Sequence, residues 1–237
     1  MNLDTTYARS AAVYDLIYEF KDYPRTTQRL HELVAELAPD ARSLLDVGCG
    51  TGLHLELLGQ GLEREGLDLS GEMLAIATAR CPDIKFHQAD MAAFALGRTF
   101  DVVTCLFSAV GYVATPQRLD SAIAAMASHL NPGGILLLEP WLEPHAYIEG
   151  TLVHNVAERD GYKVSWMYSS ERRELVSRFD IHYLVGHVGG VEHYVERHEM
   201  GLFTAEQYTS AFEAAGFEVS YDPEGLFGRG LYLGVKR

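Results

Sequence analysis

The stretch Leu44-Leu45-Asp46-Val47-Gly48-Cys49-Gly50-Thr51-Gly52 decides the fold. An apolar run carries an acidic residue near its end, breaks into three alternating glycines and leads into a helix. This is a buried strand, a tight turn and a helix start at the head of an α/β sheet. The glycines stand where the backbone approaches a ligand too closely for a Cβ. The spacing separates two kinds of ligand. A dinucleotide loop reads G-x-G-x-x-G and turns a helix N-terminus toward a pyrophosphate. Here the glycines run G-x-G-x-G, and Leu53 stands where the third dinucleotide glycine belongs. Asp46, just before the loop, repels phosphate and suits an α-amino group. S-adenosylmethionine (SAM) has an amino acid end, a sulfonium and no phosphate, and is the cofactor expected. A glycine turn without a ligand is the plain alternative, and the full nonapeptide argues against it.

Outward from this stretch the chain alternates. Strand 42–47 leads to a helix over about 53–60. A second strand ends at Asp68, and Ser70 caps a helix over 71–80. Further strands lie at 84–88 and 100–107, the latter nearly all apolar as in the middle of a parallel sheet. Leu119, Ile123, Met126 and Leu130 share a helix face, Asn131-Pro132-Gly133-Gly134 ends that helix, and Ile135 to Leu138 form a fifth strand. Upstream, residues 5–38 show helical periodicity, with Pro24 dividing two helices. Downstream, residues 151–202 alternate with period two and predict about four antiparallel strands. A helix over 204–215 and strands 217–221 and 231–235 close the chain. The fold class is therefore α/β: a Rossmann-like, doubly wound, mostly parallel seven-stranded sheet with N-terminal helices and an inserted antiparallel cap. The expected organisation is N-terminal helices and a SAM-binding core over 1–140, a substrate cap over 141–203, and the last helix with closing strands over 204–237.

Composition narrows the partners. The 237 residues carry a net charge of −14, which opposes a nucleic-acid surface or docking on an anionic membrane. No apolar run has transmembrane length, and the N-terminal residues do not read as a signal peptide. The cysteines, Cys49, Cys81 and Cys105, are scattered and odd in number, which fits a reducing cytoplasm and gives neither a disulfide framework nor a zinc cluster.

Three carboxylates mark the cofactor. Asp46 lies near its amino acid end. Asp68 is placed to accept from both ribose hydroxyls. Asp90 is placed to accept from the adenine amine while Met91 packs on the ring. The expected cofactor set is Asp46, Gly48, Gly50, Gly52, Asp68, Asp90, Met91, Tyr23 and Leu106. The loop after the fourth strand carries Tyr112, which either orients an acceptor amine or simply packs; a phenol near its ordinary pKa of about 10 is a poor base at neutral pH. Trp141 either stacks on the acceptor or anchors the cap. Arg229, between glycines, either grips a phosphate or belongs to an ordinary turn. His182, His193 and His198 read as surface or core residues of the cap, with no metal-ligand spacing.

The residues Asp46 to Gly52, Asp68 and Asp90-Met91 resemble those of class I SAM-dependent methyltransferases. A narrower resemblance rests on Val103-Thr104-Cys105-Leu106-Phe107-Ser108, Leu138-Glu139-Pro140-Trp141, Gly228-Arg229-Gly230-Leu231, Tyr14-Asp15-Leu16 and Lys21-Asp22-Tyr23. These look like the N,N-dimethyltransferases of deoxyaminosugar biosynthesis, which act on the amine of a dTDP-linked 3-amino sugar. The resemblance implies an acceptor buried between core and cap, with substrate contacts from Tyr14, the Trp141 region and Arg229; the candidate catalytic residues are Tyr14 and, from its place in the fourth-strand loop, Tyr112. Three departures surround the acceptor. Tyr112 stands where the family has a histidine, the segment before Lys21 is shorter, and Leu142 replaces an aromatic. A methyltransferase of another small metabolite, a dehydrogenase and a non-catalytic SAM-binding module are the rivals. The first differs in acceptor, the second predicts NAD, and the third predicts binding without turnover. Pairing of two chains through an exposed edge of the cap is a further expectation.

Overall fold

Strand β1 (Ser43–Val47) is buried along its whole length because it lies in the middle of a sheet covered on both faces. Successive residues serve opposite faces. Leu45 and Val47 pack with β4 (Phe100–Cys105), α5 (Pro116–Ser128) and α6 (Ala205–Ala214), whereas Leu44 packs with α2 (Tyr23–Leu37), α3 (Leu53–Leu57) and α4 (Gly71–Arg80). The remaining strands are β2 (Glu63–Asp68), β3 (Lys85–Gln88), β5 (Leu130–Leu138), β10 (Phe217–Asp222) and β11 (Leu231–Lys236). Their order across the sheet is β10-β11-β5-β4-β1-β2-β3. β1 to β5 are parallel, and β11 runs against both its neighbours. The order reverses at β1/β4, so the crevice at the carboxyl ends of these strands is where a doubly wound sheet takes its ligand. The description rests on a computed structural model and covers residues 7–159 and 161–237.

The cap is a four-stranded antiparallel meander of β6 (Leu152–Arg159), β7 (Tyr162–Arg173), β8 (Val176–His187) and β9 (Gly190–Gly201). Its inner face forms a third core. Trp166, Ile181, Tyr183 and Met200 pack against Val13, Leu16 and Ile17 of the N-terminal segment. That segment is therefore part of the roof. Buried Glu196 of β9 accepts from the Arg9 N–H (2.9 Å), the Ser10 N–H (3.0 Å) and the Ser10 hydroxyl (2.5 Å). Asp15 accepts from the Thr51 hydroxyl at 2.7 Å and pairs with Arg80, tying the same segment to the glycine loop and α4.

Several boundaries differ from the sequence expectation. Residues 5 and 6 of the expected first helix lie outside the described residues. In place of a continuous helix, a 3₁₀ turn at Ser10–Val13 runs into a single helical turn, α1 (Tyr14–Ile17). The break falls before Pro24, not at it. Asp22 caps α2 by accepting from the Arg25 N–H, and Pro24 occupies the first turn, where no hydrogen bond is lost. α3 ends at Leu57, short of the expected 60. β5 begins at Leu130, because the Asn131–Gly134 turn interrupts the pairing with β4 through a register shift without ending it. Asp160, within the expected cap, lies outside the described residues.

Candidate active site

Two adjoining cavities, one larger than the other, open at the carboxyl ends of the strands. Gly48, Gly50, Tyr14, Leu106 and Phe107 wall both. Gly48 has φ +76°, and a Cβ there would stand 2.6 Å from the Ala109 Cβ, so the loop closes only with glycine. Gly52 lines neither cavity. Its φ of +75° starts α3, and a Cβ there would press Ala77 of α4 at 3.1 Å.

Asp46 lies in the smaller cavity with Tyr23 and His54. Its Oδ1 accepts from the Thr104 hydroxyl at 2.7 Å. Burial pushes the carboxyl up to about 7, against that hydrogen bond. Both ring nitrogens of buried His54 lack a hydrogen-bond partner among the described residues, and burial holds its pKa down to about 4. A buried carboxyl group and an imidazole without a hydrogen-bond partner among the described residues, lining one cavity, fit a group that carries both a cation and an anion at one end.

Asp68 lies in the larger cavity. The Gly50 N–H donates to its Oδ2 at 2.8 Å and the Ser70 N–H to its Oδ1 at 2.9 Å. Burial raises the pKa of this carboxyl against the backbone hydrogen bonds of Ser70, Gly50 and Leu69, which fix it at the cavity wall as an acceptor for hydroxyls. Asp90 and Met91 line the same cavity. Arg118 donates to both Asp90 oxygens at 2.9 and 2.8 Å. Burial works to raise this carboxyl, and the Arg118 and Ala92 hydrogen bonds outweigh it and hold it low.

The chain leaves β4 through two consecutive non-glycine residues at positive φ, Phe107 at +56° and Ser108 at +60°. Such strain persists only where neighbours over-determine it. Here the Phe107 N–H donates to buried Glu139 at 2.7 Å, and the Ser108 hydroxyl donates to the Pro140 carbonyl at 2.7 Å. The turn then presents Tyr112 in the larger cavity beside Tyr7 and Tyr14. Burial pushes all three phenols above their ordinary range.

Trp141 and Arg229 line neither cavity; they meet at the junction with the cap. The Trp141 Nε1–H donates to Ser177 of β8 at 2.9 Å, which is the anchoring arrangement. The Arg229 guanidinium lies 4.7 Å over the Trp141 ring and donates to the Ser108 hydroxyl at 3.1 Å. It pairs with no carboxylate among the described residues. Lys21 is a second cation without an ion pair among them. Its Nζ sits 3.1 Å from the Phe107 ring centre and 4.4 Å from that of Phe227, and burial, with Arg229 nearby, lowers its pKa to about 7.

Sequence reasoning misses Tyr7, His54, Ser70, Phe107, Arg118 and Lys21 as site residues. Ser70 carries a visible signal, but it is that of an N-cap alone. Arg118 sits in the first turn of α5 and Lys21 just before α2, positions that look like solvated charge until the elements are assembled.

A doubly wound sheet, a G-x-G-x-G loop and strand-end carboxylates spaced along one cleft define the class: a class I SAM-dependent methyltransferase. A family described as a methyltransferase domain matches residues 44–134. The chain is 43% identical, over 95% of its length and 90% of the relative's, to a dTDP-3-amino-3,6-dideoxy-alpha-D-glucopyranose N,N-dimethyltransferase of Streptomyces fradiae. DesVI of Streptomyces venezuelae superposes at TM-score 0.91 with 42% identity, covering 96% of this chain and 98% of that one. SAM-bound CalS10, an amino pentose methyltransferase from Micromonospora echinaspora, superposes at 0.86 with 39% identity, covering 95% and 97%. The chain belongs to the aminosugar N,N-dimethyltransferase family.

Proposed function

We propose that this enzyme transfers methyl groups from SAM to the amine of a dTDP-linked 3-amino-deoxyhexose, up to two per acceptor. The observation that carries the nucleotide part is Arg229. Its fork lies at the junction of core and cap in the field of buried Glu139 but forms no ion pair within 4 Å among the described residues, and a planar fork so placed suits a phosphate. Lys21 stands beside it, its pKa lowered to about 7 by burial and by Arg229, and a bound phosphate would favour its charged form. The amine and the sugar come from the relatives' substrates.

Asp46 would hold the cofactor's ammonium and His54 its carboxylate. Asp68 would take the ribose hydroxyls, and Asp90 with Met91 the adenine. Gly48, Gly50 and Leu106 shape the wall, Gly52 sets the path of α3, and Tyr14 and Tyr23 close the site. When bound, SAM supplies a methyl group on a sulfonium already activated for in-line displacement. Tyr112, its pKa raised by burial, stays a phenol at neutral pH and acts by orienting the amine. Tyr14 packs the acceptor from the N-terminal side, and Trp141 anchors the cap that covers it. In this reading residues 141–203 form the acceptor cap, set between a cofactor core over 1–140 and a closing segment over 204–237.

A homodimer through the outer face of the cap is part of the proposal. Strand alternation leaves Val156, Met167, Leu184 and Val195 exposed on that face. Three free, buried cysteines support a cytoplasmic setting, and no helix among the described residues is long and apolar enough to cross a membrane.

The test is mass spectrometry of a reaction containing SAM and a dTDP-3-amino-3,6-dideoxyhexose. Products heavier by one and two methyl increments are expected. No product, with SAM binding intact in the same sample, moves the reading to acceptors without a nucleotide.

A further inference from the structure

One hydrogen-bonded chain on the wall of the larger cavity joins three separate parts of the molecule. The Tyr7 hydroxyl, from the N-terminal segment, lies 2.5 Å from the Tyr112 hydroxyl. The Tyr112 hydroxyl lies 2.8 Å from Nδ1 of His198, on cap strand β9. His198 is 1% exposed and stacks on Phe179 at 5.3 Å and 8°. Its Nε2 has no hydrogen-bond partner among the described residues. The contact with Tyr112 is thus the polar attachment of this ring. A buried, half-satisfied polar group costs roughly 1–3 kcal/mol, and a phenyl ring would stack on Phe179 without that cost. Packing alone does not account for a histidine here. The backbone also brings the two residues together: Gly111, next to Tyr112, lies so close to β9 that a Cβ would stand 2.7 Å from the Met200 Cε.

We propose that His198 is a positioning residue for methyl transfer: its Nδ1 accepts a hydrogen bond from the Tyr112 O–H and thereby leaves a lone pair of the Tyr112 oxygen to receive an N–H of the acceptor amine. This rests on the reading of Tyr112 given above. A phenol has one O–H donor and two acceptor lone pairs. With the O–H directed at His198 and one lone pair accepting from the Tyr7 hydroxyl, one lone pair remains for the acceptor. An amine nucleophile must aim its own lone pair at the methyl carbon, and tying an N–H to a fixed acceptor settles that direction. Burial keeps the imidazole neutral, lowering its pKa to about 4, so one ring nitrogen is free of a proton at neutral pH, and the proposal assigns that acceptor to Nδ1. The two transfers differ in one respect. A primary amine offers two N–H groups and the methylamine only one, so the second transfer depends more strongly on this contact.

Two measurements test the proposal. The first is ¹⁵N NMR of the imidazole of the free enzyme, which needs no acceptor. The Nε2–H tautomer, with Nδ1 unprotonated, is expected, and an Nδ1–H tautomer overturns the proposal. The second is steady-state turnover of the primary-amine and N-methyl acceptors by the wild type, Tyr112→Phe, His198→Phe, His198→Asn and the double Tyr112→Phe/His198→Phe variant. SAM affinity and thermal unfolding serve as folding controls. His198→Phe is expected to lower kcat by about tenfold on the N-methyl acceptor, and less on the primary amine, with KM little changed. His198→Asn, whose amide oxygen stands near the Nδ1 position, restores most of the rate, and the double variant is no slower than Tyr112→Phe. Multiplying losses in the double variant, or equal losses on both acceptors without rescue by Asn, would reduce His198 to packing. A fully active Tyr112→Phe would instead remove the reading of Tyr112 on which the proposal stands.

Discussion

Asp46 shows how burial at one residue prepares a binding event. Its carboxyl titrates near 7 in the free protein, against an ordinary value of about 3.9 in an unfolded chain. The folded state therefore holds this proton across that window. The stabilisation it brings is complete below the unfolded value and is lost as pH rises through the folded one. An ammonium set against the carboxylate favours its charged form, so cofactor binding expels the proton. SAM affinity should rise from about pH 5.5 to about pH 7 and be accompanied by proton release, seen by calorimetry in two buffers of different ionisation enthalpy. Asp46→Asn should abolish both the slope and the release; a native enzyme with a flat profile would contradict the pairing. Asp68 makes a simpler prediction. Hydrogen bonds to a charged group are worth roughly 1.5–3 kcal/mol, so Asp68→Ala should weaken SAM binding by at least about tenfold in a titration. An unchanged dissociation constant would remove the ribose assignment. Asp46 is legible because the apolar run before it and the glycines after it announce a strand end, and Asp68 because the alternation places a second strand end 22 residues on. His54 and Arg118 are not, since a helical histidine and a helical arginine look alike whether they face solvent or a cavity.

Among the elements, the parallel strands, the helices between them and the cap meander can be read from periodicity, because a buried face imposes a period of 2 or 3.6 on the sequence. The N-terminal segment cannot be placed that way. Its apolar residues predict helix, but the partner they pack on is a sheet more than a hundred residues away. Glu196 is the pivot of that docking, accepting from Arg9 and from both donors of Ser10. Glu196→Ala leaves these donors orphaned and should cost roughly 1–3 kcal/mol. Differential scanning should register this as a fall in melting temperature of several degrees, at about 2–4 °C per kcal/mol for a chain of this size. A melting temperature unaffected by the change would mean that the segment is held by apolar packing alone. Pro24 and the Asn131–Gly134 turn are legible as punctuation but misplaced by a few residues, because the cap at Asp22 and the register shift in β5 depend on neighbours that the local sequence does not contain.

At the scale of the molecule, Arg229 sits where the core meets the cap, outside the two cavities that the glycine loop walls. Arg229→Lys keeps the charge but loses the planar fork. It should raise KM for the nucleotide sugar by about tenfold with kcat and SAM affinity little changed, since uniform binding is what it removes. An unchanged KM would place the phosphate elsewhere. Light scattering should give twice the chain mass, and replacing Leu184 and Val195 with Glu should return a monomer that still binds SAM. The tie of Asp15 to Thr51 and Arg80 bears on how traffic through this enzyme is organised. Dimethylation uses two cofactors on one acceptor, so a spent cofactor must be exchanged in mid-course. The same segment is fastened to the cap through Glu196 and to the glycine loop through Asp15. In the reading proposed above, the Asp15 tie is the one on the cofactor's side, so it can open for cofactor exchange while the cap contacts stay closed over the half-finished sugar. The expected behaviour is processive dimethylation. A chase of unlabelled acceptor added during turnover should leave most of the labelled monomethyl species to be completed on the enzyme where it began.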